Sequence, residues 1–163
     1  MVVIGGIPGE MSLAMSSFYG TETYAIDHKG RISVPANMRR AASGKHPVRS
    51  FMLVPGFEGC LALYTEDQWK RVEERLRQLP MGGHKARSFA RAFLMHAHRV
   101  TVDAQGRVTI PPALIGRAGL DKEAILLGQV DRIEVWNPQR LKDQLSQTEG
   151  QFESLAEDVL GGS

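Results

Sequence analysis

Ala25 to Pro35 reads AIDHKGRISVP, and Thr101 to Pro111 reads TVDAQGRVTIP. Asp27, Gly30, Arg31 and Pro35 recur 76 residues later as Asp103, Gly106, Arg107 and Pro111. Ile26, Ile32 and Val34 become Val102, Val108 and Ile110, so the apolar alternation of a half-buried strand is kept on both sides of the glycine. Each stretch reads as strand, turn, strand. In the first copy the strands are Thr21–Asp27 and Arg31–Val34, a hairpin turning at Lys29-Gly30, where glycine supplies positive φ. A unit used twice sets the architecture before any other feature does.

The match continues outward at a changed offset. Leu61-Ala62-Leu63-Tyr64 corresponds to Ile133-Glu134-Val135-Trp136, 72 residues on. The first copy therefore carries about four extra residues, expected near Gly44–Arg49. Pro35 and Pro111 end the returning strands and suit the first turn of a helix, giving short helices over Ala36–Ala42 and Ala113–Ala118, the latter closed by Gly119. Phe51–Val54 and Cys60–Tyr64 are strands, as are Ala124–Leu127 and Ile133–Trp136. Thr65 caps an amphipathic helix over Glu66–Leu79, with Trp69, Val72, Leu76 and Leu79 on one stripe. Asn137-Pro138 opens the matching helix, Pro138–Leu145. Between the copies, His84–His96 has helical spacing. Gln151–Leu160 fits a short amphipathic helix, or a loose tail.

Each copy spans only about 45 to 55 residues, too few to bury a comfortable core alone. Two copies in 163 residues therefore suggest a pseudo-symmetric pair around one core. Residues 1–143 carry 20 Lys/Arg against 14 Asp/Glu, whereas 144–163 carry none against four. A basic body with an acidic tail is compatible with a nucleic-acid partner, though a charge this modest does not assign one. The single Cys60 excludes an internal disulfide and fits a reducing compartment. No apolar run reaches membrane-spanning length. The apolar, Gly-rich start lacks the basic region of a secretory signal.

Arg31 and Arg107 are the first candidates for chemistry. An arginine beside a turn offers a planar fork to a phosphate or a guanine edge. It equally serves as a brace, with Asp27 or Asp103 holding the turn. The first copy is the more basic, with His28, Lys29 and Arg31 in the turn and Arg39 and Arg40 following. The second has Ala104, Gln105 and Arg107, with Arg117 in its helix. If phosphate contacts dominate affinity, the first copy contributes more. Lys85, Arg87, Arg91 and Arg99 form a second basic run, either a solvated face or a subunit contact. His84, His96 and His98 lack the further ligands that a zinc site needs, so no metal is assigned. Cys60 reads as a packing residue, and Trp69 and Trp136 as core or interface residues.

Asp-x-x-Gly-Arg followed by an alternating strand and proline, twice, with FYG at Phe18–Gly20, CLALY at Cys60–Tyr64, the helix Trp69 and LLGQVDRIEVW at Leu126–Trp136, resembles the tandem SpoVT-AbrB family of bacterial transcriptional regulators. The resemblance covers roughly residues 18–145. It implies an α+β fold: a pseudo-symmetric swapped-hairpin β-barrel from two tandem repeats, with flanking short helices. Residues 1–17 would be an N-terminal extension and 18–80 the first repeat with its helix. A connecting helix would span 81–98, the second repeat 99–145 and an acidic tail 146–163. The resemblance further implies a ring-shaped homo-oligomer on double-stranded promoter DNA with direct repeats, usually repressing the division and cell-wall gene cluster. It places the protein in the cytoplasm at the nucleoid. It raises the DNA role for Arg31, with Lys29, His28, Arg39 and Arg107 beside it, and leaves Asp27, Gly30, Asp103 and Gly106 as turn residues. No catalysis, cofactor, membrane or small-molecule substrate is expected. Two alternatives are an assembly module whose DNA contact is incidental and a hydrolase using Asp27 or Asp103, each lacking a second carboxylate at useful spacing.

Overall fold

The structure, a computed structural model, describes residues 17–43 and 48–162. The extension expected over 1–17 and the insertion expected near Gly44–Arg49 therefore fall largely outside the described residues. The first copy contributes β1 (Thr21–Ala25), β2 (Arg31–Ser33), α1 (Ala36–Ser43), β3 (Ser50–Pro55), β4 (Leu61–Tyr64) and α2 (Glu66–Arg77). After α3 (His84–Leu94) the second contributes β5 (His98–Thr101), β6 (Arg107–Thr109), α4 (Pro112–Ala118), β7 (Glu123–Gly128), β8 (Ile133–Trp136) and α5 (Pro138–Gln147), followed by α6 (Phe152–Leu160). Helix starts follow their sequence signals. The Thr65 hydroxyl accepts from Gln68 N at 3.1 Å, and Asn137 accepts from Gln139 N and Arg140 N. Gly119 closes α4 in the left-handed region, φ 62°.

Strand pairing departs from the expected hairpins. β1 does not pair with β2 across the Lys29-Gly30 turn. It runs antiparallel to β7 of the other copy, and β5 likewise joins β3. The result is an open six-stranded sheet, β1-β7-β8-β4-β3-β5, with a separate two-stranded ribbon of β2 and β6. The described strands do not close into a barrel. The physical reason lies in the turn. Asp27 N donates to Arg31 O at 3.1 Å, but the return bond of that pair goes to the Asp27 carboxylate, which accepts from Arg31 N at 2.9 Å, while Ile26 N already donates to Lys122 O of the other copy at 2.8 Å. A side chain replaces a main-chain acceptor, and the two strands diverge.

Both pairings at the centre join equivalent residues: Ile32 faces Val108, and Ala62 faces Glu134. A pseudo-two-fold axis therefore runs through both sheets. Register also locates the length difference between copies. Thr23 faces Ile125 while Arg99 faces Met52, so β3 and β7 correspond at an offset of 73. Three of the extra residues precede β3, and the fourth lies in the turn between β3 and β4.

One core serves both halves. Phe18, Ile32, Val34, Phe51, Leu53 and Leu63 from the first copy meet Val108, Ile110, Leu114, Leu126, Ile133 and Val135 from the second, all at 1% exposure or less. Such side chains contribute roughly 1.5–3 kcal/mol each, and the cluster draws on both repeats. Trp69 packs with Met52, Val54, Ala62 and Phe93 under α2 and α3. Trp136 packs with Cys60 and Leu141, its Nε1 donating to Glu134 Oε1 at 3.0 Å. Both tryptophans are thus core residues. Tyr19 is exposed, and only Phe18 of the lead-in pair is buried. No helix among the described residues is long and apolar enough to cross a membrane.

Candidate nucleic-acid interface

The ribbon builds the site. In β2 and β6 the alternation buries Ile32 and Val108 and turns Arg31, Ser33, Arg107 and Thr109 to the other face. Arg31 lies opposite Thr109 and Ser33 opposite Arg107. The two arginines are diagonal neighbours on one outer face, flanked by their turns. The hydroxyls of Ser33 and Thr109 belong to the same face. Sequence reasoning passed over them, although the period-two pattern of Arg-Ile-Ser and Arg-Val-Thr signals it.

The two turns share one construction. Asp27 Oδ1 accepts from the amides of Lys29 and Arg31, both at 2.9 Å, and Oδ2 accepts from Arg31 Nε at 2.6 Å. Asp103 repeats this with the amides of Gln105 and Arg107 and with Arg107 Nε, each at 2.9 Å. Aspartate is the residue short enough to reach amides two and four positions on while leaving its second oxygen for the guanidinium. Gly30 and Gly106 stand at φ 77° and 79°, where a Cβ is strained. Their carbonyls accept from Ile110 N and Val34 N of the opposite copy, both at 2.9 Å, which locks the turns to the ribbon.

The donated amide hydrogen bonds, first that of Arg31, hold the Asp27 carboxyl down at about 2. The Arg107 amide and guanidinium lower Asp103 likewise. Both stay ionised through the neutral range, weak as bases and unable to serve as proton donors there, which argues against the hydrolase alternative. Cys60 is buried and pushed up to about 12 by desolvation, so it is a packing residue and not a nucleophile.

With Nε engaged, each guanidinium has only its Nη atoms left for other partners. The Arg31 side chain is 27% exposed, and among the described residues its Nη atoms have no partner. Those of Arg107 are partly engaged, Nη2 with Gln105 Oε1 at 3.3 Å and Nη1 at 3.9 Å from Asp27 Oδ2. His28 and Lys29 are exposed at the tip of the first turn.

Arg39 is not where the linear sequence suggests. Its Nε donates to Val34 O at 3.0 Å, and its guanidinium lies over Gly106, at the second turn. The residue that corresponds to it, Ile115, packs over Gly30 at the first. The strand exchange thus moves one cation from the richer turn to the poorer. The other sequence candidates lie apart from the ribbon. Arg99 forms a two-pronged pair with Glu66 at 2.7 and 3.2 Å, and Arg87 donates to Met81 O. His84 contacts Ser88, His98 contacts His96 O, and the described residues contain no group of three His, Cys, Asp or Glu placed to hold a metal.

Comparison with known proteins gives the family. The family described as "MraZ protein, putative antitoxin-like" matches twice, over residues 17–92 and 93–161. A protein from Natranaerobius thermophilus named transcriptional regulator MraZ is 34% identical over 143 residues, covering 88% of this chain and 96% of its own. Its namesake from Caldanaerobacter subterraneus subsp. tengcongensis is 37% identical over 140 residues, 86% of this chain and 94% of its own. A third, from Alkaliphilus oremlandii, is 42% identical over 120 residues, 74% and 80% of the respective chains. With a double match along nearly its whole described length and relatives at this identity, the chain belongs to the MraZ family of transcriptional regulators.

Proposed function

We propose that this chain represses the division and cell-wall gene cluster by gripping repeated promoter boxes with the β2–β6 ribbon, as a ring-shaped homo-oligomer in the cytoplasm, at the nucleoid. The observation that carries the reading is the part-exposed Arg31 guanidinium, whose Nε a carboxylate has already claimed and whose Nη atoms have no partner among the described residues. A guanidinium fixed in that way loses little freedom when it meets a phosphate or the N7/O6 edge of guanine. Lys29, His28, Arg39 and Arg107 supply neighbouring charge, and Ser33 and Thr109 supply neutral donors. Asp27 and Asp103 act as braces, since a carboxylate facing phosphate repels it.

One subunit offers few phosphate contacts. Specific affinity therefore comes from several subunits on successive boxes, where linkage raises the effective concentration. With about 6–10 phosphates neutralised, binding weakens roughly 10³–10⁵-fold between 50 and 200 mM salt. The test is a mobility shift on the chain's own upstream promoter, with molar mass measured in parallel. Arg31→Ala loses the shift and keeps the wild-type mass. A variant that still shifts the DNA with unchanged affinity removes the ribbon from the interface. Loss of mass instead assigns Arg31 to assembly.

A further inference from the structure

Two features away from the ribbon lack an explanation and complement one another. The first is a groove of about 450 Å³ between α2, α3 and the turn after β3. Phe57, Tyr64, Leu76 and Phe89 line it, with Arg75, Arg117 and Arg132 among them. Phe57 and Phe89 remain 66% and 43% exposed. Arg132 pairs with Asp131 and Glu134, but Arg75 and Arg117 have no ion pair among the described residues. Apolar walls with idle cations suit an acidic amphipathic segment better than a phosphate backbone.

The second feature is α6. Phe152, Leu155, Ala156 and Val159 recur at helical spacing and form one stripe, with Leu160 at its edge. Glu153 and Glu157 border the stripe on one side and Asp158 on the other, and the segment from residue 144 onward contains no Lys or Arg. None of the helix is buried, and Phe152, Val159 and Leu160 are about 80% exposed. Helix α6 follows α5 as α3 follows α2. Helix α3 seats Phe93 against Trp69 at 6.0 Å, whereas α6 has no such seat in its own half.

We infer that α6 of one copy docks in the α2–α3 groove of the next. The inference rests on the self-association proposed above and names its contact. Anchors at i, i+3, i+4 and i+7 are the pattern by which a helix fills an apolar groove. The acidic borders of the helix meet Arg75 and Arg117, which have no ion pair among the described residues. The chain's own α6 lies outside its groove, whose lining runs from Pro55 to Arg132. Helix and groove are different patches, so the contact is head to tail, and repeating it closes a ring where the rotation allows.

The experiment is sedimentation velocity on the full chain. Glu153→Arg with Glu157→Arg, and separately Arg75→Glu with Arg117→Glu, each weaken self-association by roughly tenfold or more. All four changes together recover most of the loss. Phe152→Asp with Val159→Asp leaves a monomer with an unchanged circular dichroism spectrum, since these side chains are exposed. Reversed chains that keep the wild-type mass, or a fourfold variant no better than either pair, overturn the inference and leave the ring reading standing. A wild-type chain that sediments as a monomer throughout overturns both.

Discussion

The two turns are built alike and equipped differently. At each, an aspartate gathers two amides and an arginine Nε, and a glycine at positive φ lends its carbonyl to the opposite copy. The first turn then carries His28 and Lys29 under a hydrocarbon, Ile115. The second carries Ala104 and Gln105 under a cation, Arg39. The contrast separates what the fold requires from what the surface is free to vary. Main-chain geometry is repeated nearly atom for atom, whereas charge is assigned turn by turn. Because the strands exchange partners, the cation over the second turn is supplied by the first repeat.

Substitution at the glycines breaks the likeness most severely. At Gly30 a Cβ lies 3.0 Å from both Ile110 O and Ile115 Cδ1, and a main-chain carbonyl in the ribbon cannot withdraw. Gly30→Ala is expected to cost about 2–3 kcal/mol, the left-handed penalty plus the clash. At Gly106 the nearest atom is Arg39 Cζ at 2.7 Å, the end of a flexible side chain. Gly106→Ala should cost only about 1–2 kcal/mol while displacing a cation. Urea unfolding of the two variants measures the difference, and equal losses would mean that Arg39 is as immobile as a carbonyl.

Replacing the cationic cover by a hydrocarbon is the next largest change. Arg39→Ile makes the second turn resemble the first, and should weaken promoter binding by about three- to tenfold and reduce the slope of log K against log salt by roughly 1. Gln105→Lys should steepen that slope by a similar amount, and Lys29→Ala should flatten it. Salt titration of a mobility shift reads all three. An Arg39 variant with the wild-type slope would remove this residue from the DNA face.

The smallest effect is on acid stability. Asp27 titrates near 2 in the folded chain against an ordinary 3.8, so its stabilising contribution is complete above about pH 4 and drains away as the pH falls toward 2. Asp103 is lowered in the same direction, without the second guanidinium that Asp27 has 3.9 Å away. Asp27→Asn should therefore flatten the pH dependence of unfolding between 4 and 2 more than Asp103→Asn does. The reverse order would show that Arg107 contributes nothing to the first turn.

Most of the elements could be read before the structure. The 76-residue offset, the prolines after each returning strand, the Thr65 and Asn137 caps and the Gly119 stop each act over a few neighbouring residues, which a sequence displays directly. Partner choice was not legible in the residues themselves, and exchange between the halves entered only through the family resemblance. β2 and β6 are three residues long, and alternation over three positions says which face is buried but not which strand lies alongside. Hence the first turn looked like a simple hairpin, and Arg39 looked like its neighbour. The signal that could have moved Arg39 was the internal alignment itself, which makes it the counterpart of Ile115 and so places both on the exchanged side of the dyad. The amphipathic spacing of Phe152, Leu155 and Val159 left α6 open beside a loose tail, and spacing cannot tell whether a stripe finds its cover at home or on a neighbour.

A symmetric pair of identical half-units reads its site the same way from both ends and so favours palindromes. Here the dyad that passes between Ile32 and Val108 relates halves that are free to mutate separately. Under the proposed ribbon contact, lysine on one tip and glutamine on the other would let a single subunit distinguish upstream from downstream. In the proposed ring, the covalent join between repeats would thereby give each subunit a direction, so that subunits facing the same way would suit boxes that all point along the same strand.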